Sequence, residues 1–249
     1  LTQAAAAAAN YPFCTIEPNI GIVPIPDERL NQVGAAVCPE KLTPAAIRFV
    51  DIAGLVRGAS RGEGLGNQFL SHIREVDALV HVVRCFADDN VSHVEGDLDP
   101  IRDQDIVQTE LLLADLQTLE KIKEKLNRFL KTGEERYKDE LQLAEYVMDQ
   151  LNEGVVARSL PLNREEQKLL QDWWLLTSLP VLYCANVSPE QLMEIVATGD
   201  TVPPDSPYGG LQALAQAEGA GCIAIAAQLE AELQELDDAE RQEFLVELG

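Results

Sequence analysis

Residues 49–69 read FVDIAGLVRGASRGEGLGNQF, and this stretch decides the fold class. Its apolar start predicts a buried strand that ends at Asp51, and its last residues predict the beginning of a helix. Between them lie five glycines: Gly54, Gly58, Gly62, Gly64 and Gly66. A carboxylate at a strand end followed by glycines is typical of phosphate and metal sites, because glycine lets backbone N–H groups come close to an anion. A plain surface loop fits the same glycines, so the pattern by itself leaves both interpretations open.

The composition restricts the classes of function. The chain has 249 residues, of which 46% are hydrophobic, and its formal net charge is −23 at pH 7. We expect such a chain to be globular and to avoid broad contact with DNA or an anionic membrane, although a local basic patch is compatible with this average. Its five cysteines are scattered without a CxxC spacing, so we expect reduced thiols in a cytoplasmic protein. The sequence has no apolar run long enough for a membrane span and no secretion signal.

Strand-like runs alternate with helical runs along most of the chain. This alternation predicts an α/β fold with a mostly parallel sheet flanked by helices. Ligands of such sheets gather at the carboxyl ends of the strands. Asp51, Asn186 and Ala226 each fall at a predicted strand end, so we expect them to face one site. His81 lies within the apolar run 78–86, where a core histidine is more common than a catalytic one.

Residues 101–160 have a longer, helical periodicity. Five leucines lie close to one helical stripe: Leu112, Leu116, Leu119, Leu126 and Leu130. Gly133 interrupts this pattern, and a second amphipathic helix ends near Gly154. The two patterns predict an antiparallel helical hairpin that packs on itself and is inserted before the strand-like runs resume.

Four sequence blocks carry a family resemblance. They are NYPFCTIEPNIG at 10–21, DIAGLVRGASRGEGLGNQFL at 51–70, HVVRCF at 81–86 with the later His93, and LPVLYCANV at 179–187. In this order they resemble the Obg-like ATPases of the YchF type, within the P-loop GTPase-like superfamily. The resemblance implies a nucleotide-binding G domain formed by residues 1–100 and 161–249. It also implies that the hairpin at 101–160 is the inserted helical domain of the family.

The resemblance implies roles for single residues. The loop around Thr15 resembles switch I, whose threonine hydroxyl binds Mg²⁺, and Asp51 begins a DxxG motif that resembles switch II. Asp51 would then hold the magnesium shell through water, and the Gly54 amide would sense the γ-phosphate. The implied nucleotide contacts are Asn186, Val187 and Ala226. Members of the family bind and hydrolyse ATP and associate with ribosomes, so ATP, Mg²⁺ and the ribosome are the implied substrate, cofactor and partner.

The position after the DxxG motif departs from ordinary GTPases. Ras-like enzymes place a glutamine there to orient the attacking water, whereas this chain has Leu55, whose side chain forms no hydrogen bond. The family's candidate for the role is a histidine on the loop beyond the HVVRCF strand, which corresponds to His93. We therefore predict that His93 is the catalytic, water-orienting residue.

The base-reading segment is the second departure. Guanine-specific enzymes use NKxD, whose aspartate accepts hydrogen bonds from guanine, but residues 186–190 read NVSPE and contain no aspartate. Pro189 stands where the family usually has glutamate, and Glu190 comes one residue later. We expect ATP to be preferred over GTP, with Asn186 and the Val187 backbone as base contacts.

The phosphate-cradling motif GxxxxGK[ST] occurs nowhere in the 249 residues, and no TGS-like carboxyl-terminal domain is evident. We expect the full-length parent to supply the motif upstream of Leu1, and this segment alone to be inactive. The alternative hypothesis is a scaffold without hydrolysis, whose hairpin and acidic surface bind a protein or the ribosome.

Overall fold

The computed structural model describes residues 19–52, 66–87, 98–133, 135–199, 202–237 and 239–241. The chain divides into two compact units, Leu1–Gly54 and Leu55–Gly249. None of the helices in these ranges combines the length and the apolar character that a membrane span requires.

The first unit is a two-stranded antiparallel ribbon with one helix in its connection. Its elements are β1 (Asn19–Pro24), α1 (Glu28–Val37) and β2 (Ala46–Asp51). The pairing places Asn19 opposite Asp51. Asp27 caps α1, since its side chain accepts a hydrogen bond from the Arg29 backbone N–H at 3.0 Å. No residue of α1 is buried within the described structure, so this helix does not cover a sheet face as a parallel crossover helix would.

The second unit contains the predicted parallel sheet, and the α/β fold class is confirmed. Its strands are β3 (Leu79–Arg84), β4 (Val181–Asn186) and β5 (Gly221–Ile225), in the order β3-β4-β5. The remaining elements around them are α2 (Gly66–Ile73), α6 (Pro189–Ala197), α7 (Pro207–Ala217) and α8 (Ala227–Glu235). Val83, Tyr183, Ala185, Ile195 and Leu211 form the centre of a core between the sheet and the helices α6 and α7. Burying this apolar surface stabilises the sheet by roughly 1.5–3 kcal/mol for each large side chain.

The predicted helical hairpin lies between β3 and β4. It consists of α3 (Pro100–Lys131) and α4 (Lys138–Asn152), and α5 (Arg164–Asp172) follows it. The hairpin has a core of its own, in which Leu119, Ala144 and Val147 are fully buried. Leu112, Leu116, Leu119 and Leu126 of the predicted stripe pack in this core with residues of α4, as a period of 3.6 residues predicts. The assignment of residues 101–160 as a separate inserted domain stays a prediction.

Two adjacent tryptophans follow α5 and differ in their surroundings. The Trp173 indole is buried in the hairpin core, and its N–H donates to Glu140 Oε1 at 3.3 Å. Trp174 has a left-handed backbone with φ of 54°, and 68% of its surface is exposed. This backbone ends the helix in the manner usually reserved for glycine.

A buried carboxylate fixes the segment that leads into β4. Asp115 of α3 is fully buried and accepts three hydrogen bonds, from Leu176 N at 2.7 Å, Thr177 N at 2.8 Å and Thr177 Oγ1 at 2.7 Å. Burial raises the pKa of Asp115 to about 6, although its hydrogen bonds favour the ionised form. Asp115 thereby attaches the hairpin to the 3₁₀ helix Leu176–Ser178, which precedes the central strand.

Candidate functional site

The carboxyl ends of the three parallel strands meet at one edge of the sheet. Arg84, Asn186 and Ile225 are opposite one another in the register. The ladder continues past the strand ends, because Cys85 N donates to Asn186 O at 2.8 Å and Val187 N donates to Ile225 O at 2.8 Å. The structure therefore brings Asn186, Val187 and Ala226 together, although their role as nucleotide contacts stays a prediction.

The Asn186 side chain caps a helix that begins on the neighbouring strand. Its Oδ1 accepts a hydrogen bond at 3.1 Å from Ala227 N, the first N–H of α8. The residue at the usual capping position, Ala226, has no side-chain acceptor and is fully buried. With its oxygen committed to α8, Asn186 keeps two amide N–H groups that bond to no described residue. Asn186 is half-buried, so these donors are the part of the side chain that can serve a ligand.

The start of α6 lies beside Asn186 and is held by a capping box. Ser188 Oγ accepts from Gln191 N at 3.2 Å, and Gln191 Oε1 accepts from Ser188 N at 2.8 Å. Pro189 occupies the first helical position, where its missing N–H costs no hydrogen bond. Gln191 also donates to Cys85 O at 3.4 Å, which connects α6 to the end of β3.

Glu190 is exposed on the first turn of α6. Its carboxylate accepts a hydrogen bond from Ser188 Oγ at 2.7 Å, and this bond lowers its pKa. Glu190 is thus an ionised acceptor directed at its own helix cap rather than at Asn186.

The buried thiols near the site are unreactive. Burial raises the pKa of Cys85 to about 12, and burial likewise raises the pKa of Cys184. Both side chains are fully buried and remain neutral thiols at physiological pH, so neither is suited to act as a nucleophile.

His81 occupies the core side of β3, as predicted. Its ring centroid lies 5.7 Å from that of Tyr183. Burial, with a smaller contribution from the nearby Arg158, lowers the pKa of His81 to about 4. His81 is therefore neutral at physiological pH and packs as an apolar side chain.

A polar cluster holds the middle of β4 from the hairpin side. Tyr183 Oη donates to Glu218 Oε2 at 2.9 Å and accepts from Gln104 Nε2 at 3.2 Å, while Arg158 forms an ion pair with Glu218. Burial and the Glu218 carboxylate raise the pKa of Tyr183 to about 12. Gln104 belongs to α3 and Arg158 to the short 3₁₀ helix Ala157–Ser159, so these contacts connect the hairpin to the strand that ends at Asn186.

Of the two residues predicted to hold magnesium, the structure describes only Asp51, in the first unit. Asp51 is the last residue of β2 in the first unit, exposed and opposite Asn19. Its carboxylate oxygens are ligands of the kind that Mg²⁺ prefers. Within the described ranges no group of three His, Cys, Asp or Glu side chains could hold a metal ion. Thr15, Gly54 and His93 lie outside the described residues.

Two contacts of the site escaped the sequence analysis. The Ser188–Gln191 capping box has the S-x-x-Q spacing that could have revealed it. The Asn186 cap on α8 joins residues 41 positions apart and has no local signal.

Known proteins resemble the chain in sequence and in structure. Residues 1–150 match the family described as 50S ribosome-binding GTPase. The whole chain is 44% identical to the ribosome-binding ATPase YchF of Bacillus subtilis, over 66% of that protein. The chain belongs to the YchF family of the P-loop GTPase superfamily.

Other YchF proteins agree with this assignment. YchF of Haemophilus influenzae is 44% identical over 66% of its length. The solved structure of the Schizosaccharomyces pombe YchF GTPase superposes with a TM-score of 0.72 at 34% identity, over 96% of this chain and 64% of that one. The chain thus spans about two thirds of the length of these YchF relatives.

Proposed function

We propose that the full-length protein is a cytoplasmic, ribosome-associated and Mg²⁺-dependent ATPase that prefers ATP to GTP. The observation that carries this proposal is Asn186, which α8 and the strand ladder hold at the carboxyl end of β4 with its amide donors available. The relatives named ribosome-binding ATPase support the activity and the partner. We further propose that residues 1–100 and 161–249 form the nucleotide-binding domain and that residues 101–160 are inserted into it.

The base contacts follow from the chemistry of Asn186. An amide N–H of Asn186 would donate to N7 of the base, which adenine and guanine share. Guanine additionally needs an acceptor for its N1–H and its exocyclic amine, and Pro189 has none. Glu190, the nearest carboxylate in sequence, already accepts a hydrogen bond from Ser188. This arrangement supports a preference for ATP, because guanine gains no partner at Pro189.

The phosphate chemistry would be divided among three segments. We assign Thr15 and Asp51 as the residues that would hold Mg²⁺, which when bound neutralises charge on the β- and γ-phosphates. The Gly54 amide would bond to the γ-phosphate. Because Leu55 cannot orient water, we assign that role to His93. No GxxxxGK[ST] occurs among the 249 residues, so we propose that they do not hydrolyse ATP by themselves.

A second candidate is a scaffold that binds a protein or the ribosome without hydrolysis. The helical hairpin favours it, because this element has a core of its own and extends from the sheet between β3 and β4.

The two candidates differ in the behaviour of the full-length protein with Mg·ATP. We expect turnover that falls at least about a hundredfold in His93→Ala, the lower end of what a positioned acid–base group contributes. His72→Ala is the matched control, since His72 lies on α2. Unchanged turnover in His93→Ala would remove His93 from the mechanism.

A full-length protein that neither binds nor hydrolyses Mg·ATP would favour the scaffold. Displacement of ATP by far lower concentrations of GTP would reverse the proposed preference for ATP.

A further inference from the structure

The turn end of the α3–α4 hairpin is the basic part of an acidic chain. We define the hairpin tip as residues 121–138. Seven of the 19 Lys and Arg residues lie in it, against three of the 42 Asp and Glu residues. The seven are Lys121, Lys123, Lys125, Arg128, Lys131, Arg136 and Lys138. Charges in helices usually alternate in sign and pair along the surface, so this segregation departs from an ordinary solvated helix.

Three of these cations form a stripe on the solvent face of α3. Lys121, Lys125 and Arg128 recur at i, i+4 and i+7, are all exposed, and span about 10 Å along the helix axis. Within the described part of the hairpin no carboxylate forms an ion pair with any of the three. Lys123, by contrast, lies on the flank of α3 and pairs with Glu145 of α4 at 2.8 Å. The stripe is therefore a row of available positive charge.

Most of the positive charge of the tip lies on α3, which carries five of the seven cations, whereas Arg136 and Lys138 follow the turn. After its first residue, Lys138, the α4 helix carries acidic side chains, at Asp139, Glu140, Glu145 and Asp149. Repulsion from these groups and from the rest of the chain would direct an anionic partner to the stripe on α3.

Two aromatic rings lie beside the stripe. Phe129 and Tyr137 are stacked, with ring centroids 4.9 Å apart and an interplanar angle of 24°. The Lys125 ammonium lies 5.8 Å from the Phe129 centroid, and the Arg136 guanidinium lies 4.7 Å from that of Tyr137. Cations next to aromatic rings bind single-stranded RNA well, because the cations contact phosphates while the rings stack on unpaired bases. An acidic peptide would use the cations but has no base to stack.

We propose that the hairpin tip binds RNA, with Lys121, Lys125 and Arg128 contacting backbone phosphates and Tyr137 stacking on an unpaired base that takes the place of the Arg136 guanidinium. That this RNA is ribosomal rests on the ribosome association proposed above. The tip would then be the surface through which the protein contacts ribosomal RNA.

Fluorescence anisotropy of the full-length protein with a fluorescein-labelled RNA stem–loop tests the inference. In the variant Lys121→Gln/Lys125→Gln/Arg128→Gln we expect affinity to fall at least about tenfold and the salt dependence of log K to lose a slope of about 2. The variant Lys41→Gln/Arg164→Gln/Lys168→Gln removes three exposed cations elsewhere, and we expect it to bind like the wild type. Tyr137→Leu should weaken binding about tenfold with the salt slope unchanged, since stacking releases no counterions.

Co-sedimentation with purified ribosomes separates this inference from the proposed function. We call Lys121→Gln/Lys125→Gln/Arg128→Gln the tip variant. Loss of both RNA binding and co-sedimentation in this variant, but not in the control variant, would support the inference. An unchanged salt slope in the tip variant, or binding of polyglutamate as tight as that of RNA, would overturn it. Loss of RNA binding with full co-sedimentation would overturn the tip as the ribosomal contact. A wild-type protein that binds the stem–loop but never co-sediments would instead overturn the proposed ribosome association.

Discussion

The two ends of β4 are held by different chemistry. The segment that leads into its start is fixed by the fully buried Asp115, which accepts from the Leu176 and Thr177 backbone N–H groups and from the Thr177 hydroxyl. The end is half-exposed and is held by neutral groups, namely the Asn186 cap on α8 and the capping box of Ser188. A buried carboxylate with three donors is costly to disturb, whereas a neutral cap contributes about 1 kcal/mol. The difference indicates that the start of β4 stabilises the strand, which leaves the donors at its end available to a ligand.

Asp115→Ala is the largest test of this comparison. It would leave three buried donors without an acceptor, so we expect the free energy of unfolding to fall by about 3–5 kcal/mol. Denaturation of the full-length protein measures the loss, and hydrogen exchange at the Leu176 and Thr177 amides localises it. Asp105→Ala is the control, because Asp105 is exposed on the same helix. If the two variants were equally stable, the contrast between the two ends of β4 would be wrong.

The free energy of unfolding should depend on pH through Asp115, and with the opposite sign through His81. Asp115 has a folded pKa of about 6 against an ordinary value of 3.8, so the folded state binds its proton more tightly. Its contribution to the free energy of unfolding therefore falls as pH rises from about 4 to 6. His81 has a folded pKa of about 4 against 6.5, so its contribution rises over about pH 4 to 6.5.

Single variants separate these opposed contributions. In His81→Gln we expect stability to decrease with pH over about 4 to 6 relative to the wild type, because the Asp115 contribution is no longer offset. In Asp115→Asn we expect stability to increase with pH relative to the wild type, because the His81 contribution is no longer offset. Unfolding free energies measured across this range check both signs, and parallel curves for wild type and variants would contradict the burial of these groups.

At the end of β4, we expect substitution of Asn186 to have the smallest effect on stability and a clear effect on nucleotide binding. Asn186→Ala removes the cap on α8 and the amide donors, so we expect about 1 kcal/mol lower stability and weaker Mg·ATP binding by the full-length protein. Asn186→Asp keeps an acceptor for Ala227 N but loses the donors. It should therefore keep the stability and lose the affinity, as measured by denaturation and calorimetry. Loss of stability without loss of affinity in Asn186→Ala would make Asn186 a purely structural residue.

The sequence predicted the parts of the fold that local patterns encode. Apolar runs located the strands, and the leucine stripe located the hairpin with its buried Leu119 and Leu126. The antiparallel pairing of β1 and β2 was not predicted, because an intervening helix usually indicates a parallel crossover. Here, among the described residues, no residue of that helix, α1, is buried.

The candidate site was predictable only in part. Strand ends and the family resemblance indicated Asn186, Val187 and Ala226, and the structure places these three together. Asp115 was missed, because a single aspartate in an amphipathic helix looks like a surface residue. Its partner Thr177 lies 62 positions away, so no local pattern connects the two. The roles of Thr15, Asp51, Gly54 and His93 rest on the resemblance and stay predictions.

The tryptophan pair determines what optical measurements on this chain report. Trp173 and Trp174 are the two tryptophans among the 249 residues, one enclosed in the hairpin core and the other facing solvent. Tryptophan fluorescence of this segment therefore arises from one place in the helical region, and neither tryptophan lies next to Asn186. A change in emission on adding nucleotide would thus signal a rearrangement transmitted to the hairpin, whereas silent emission would be compatible with full occupancy of the site.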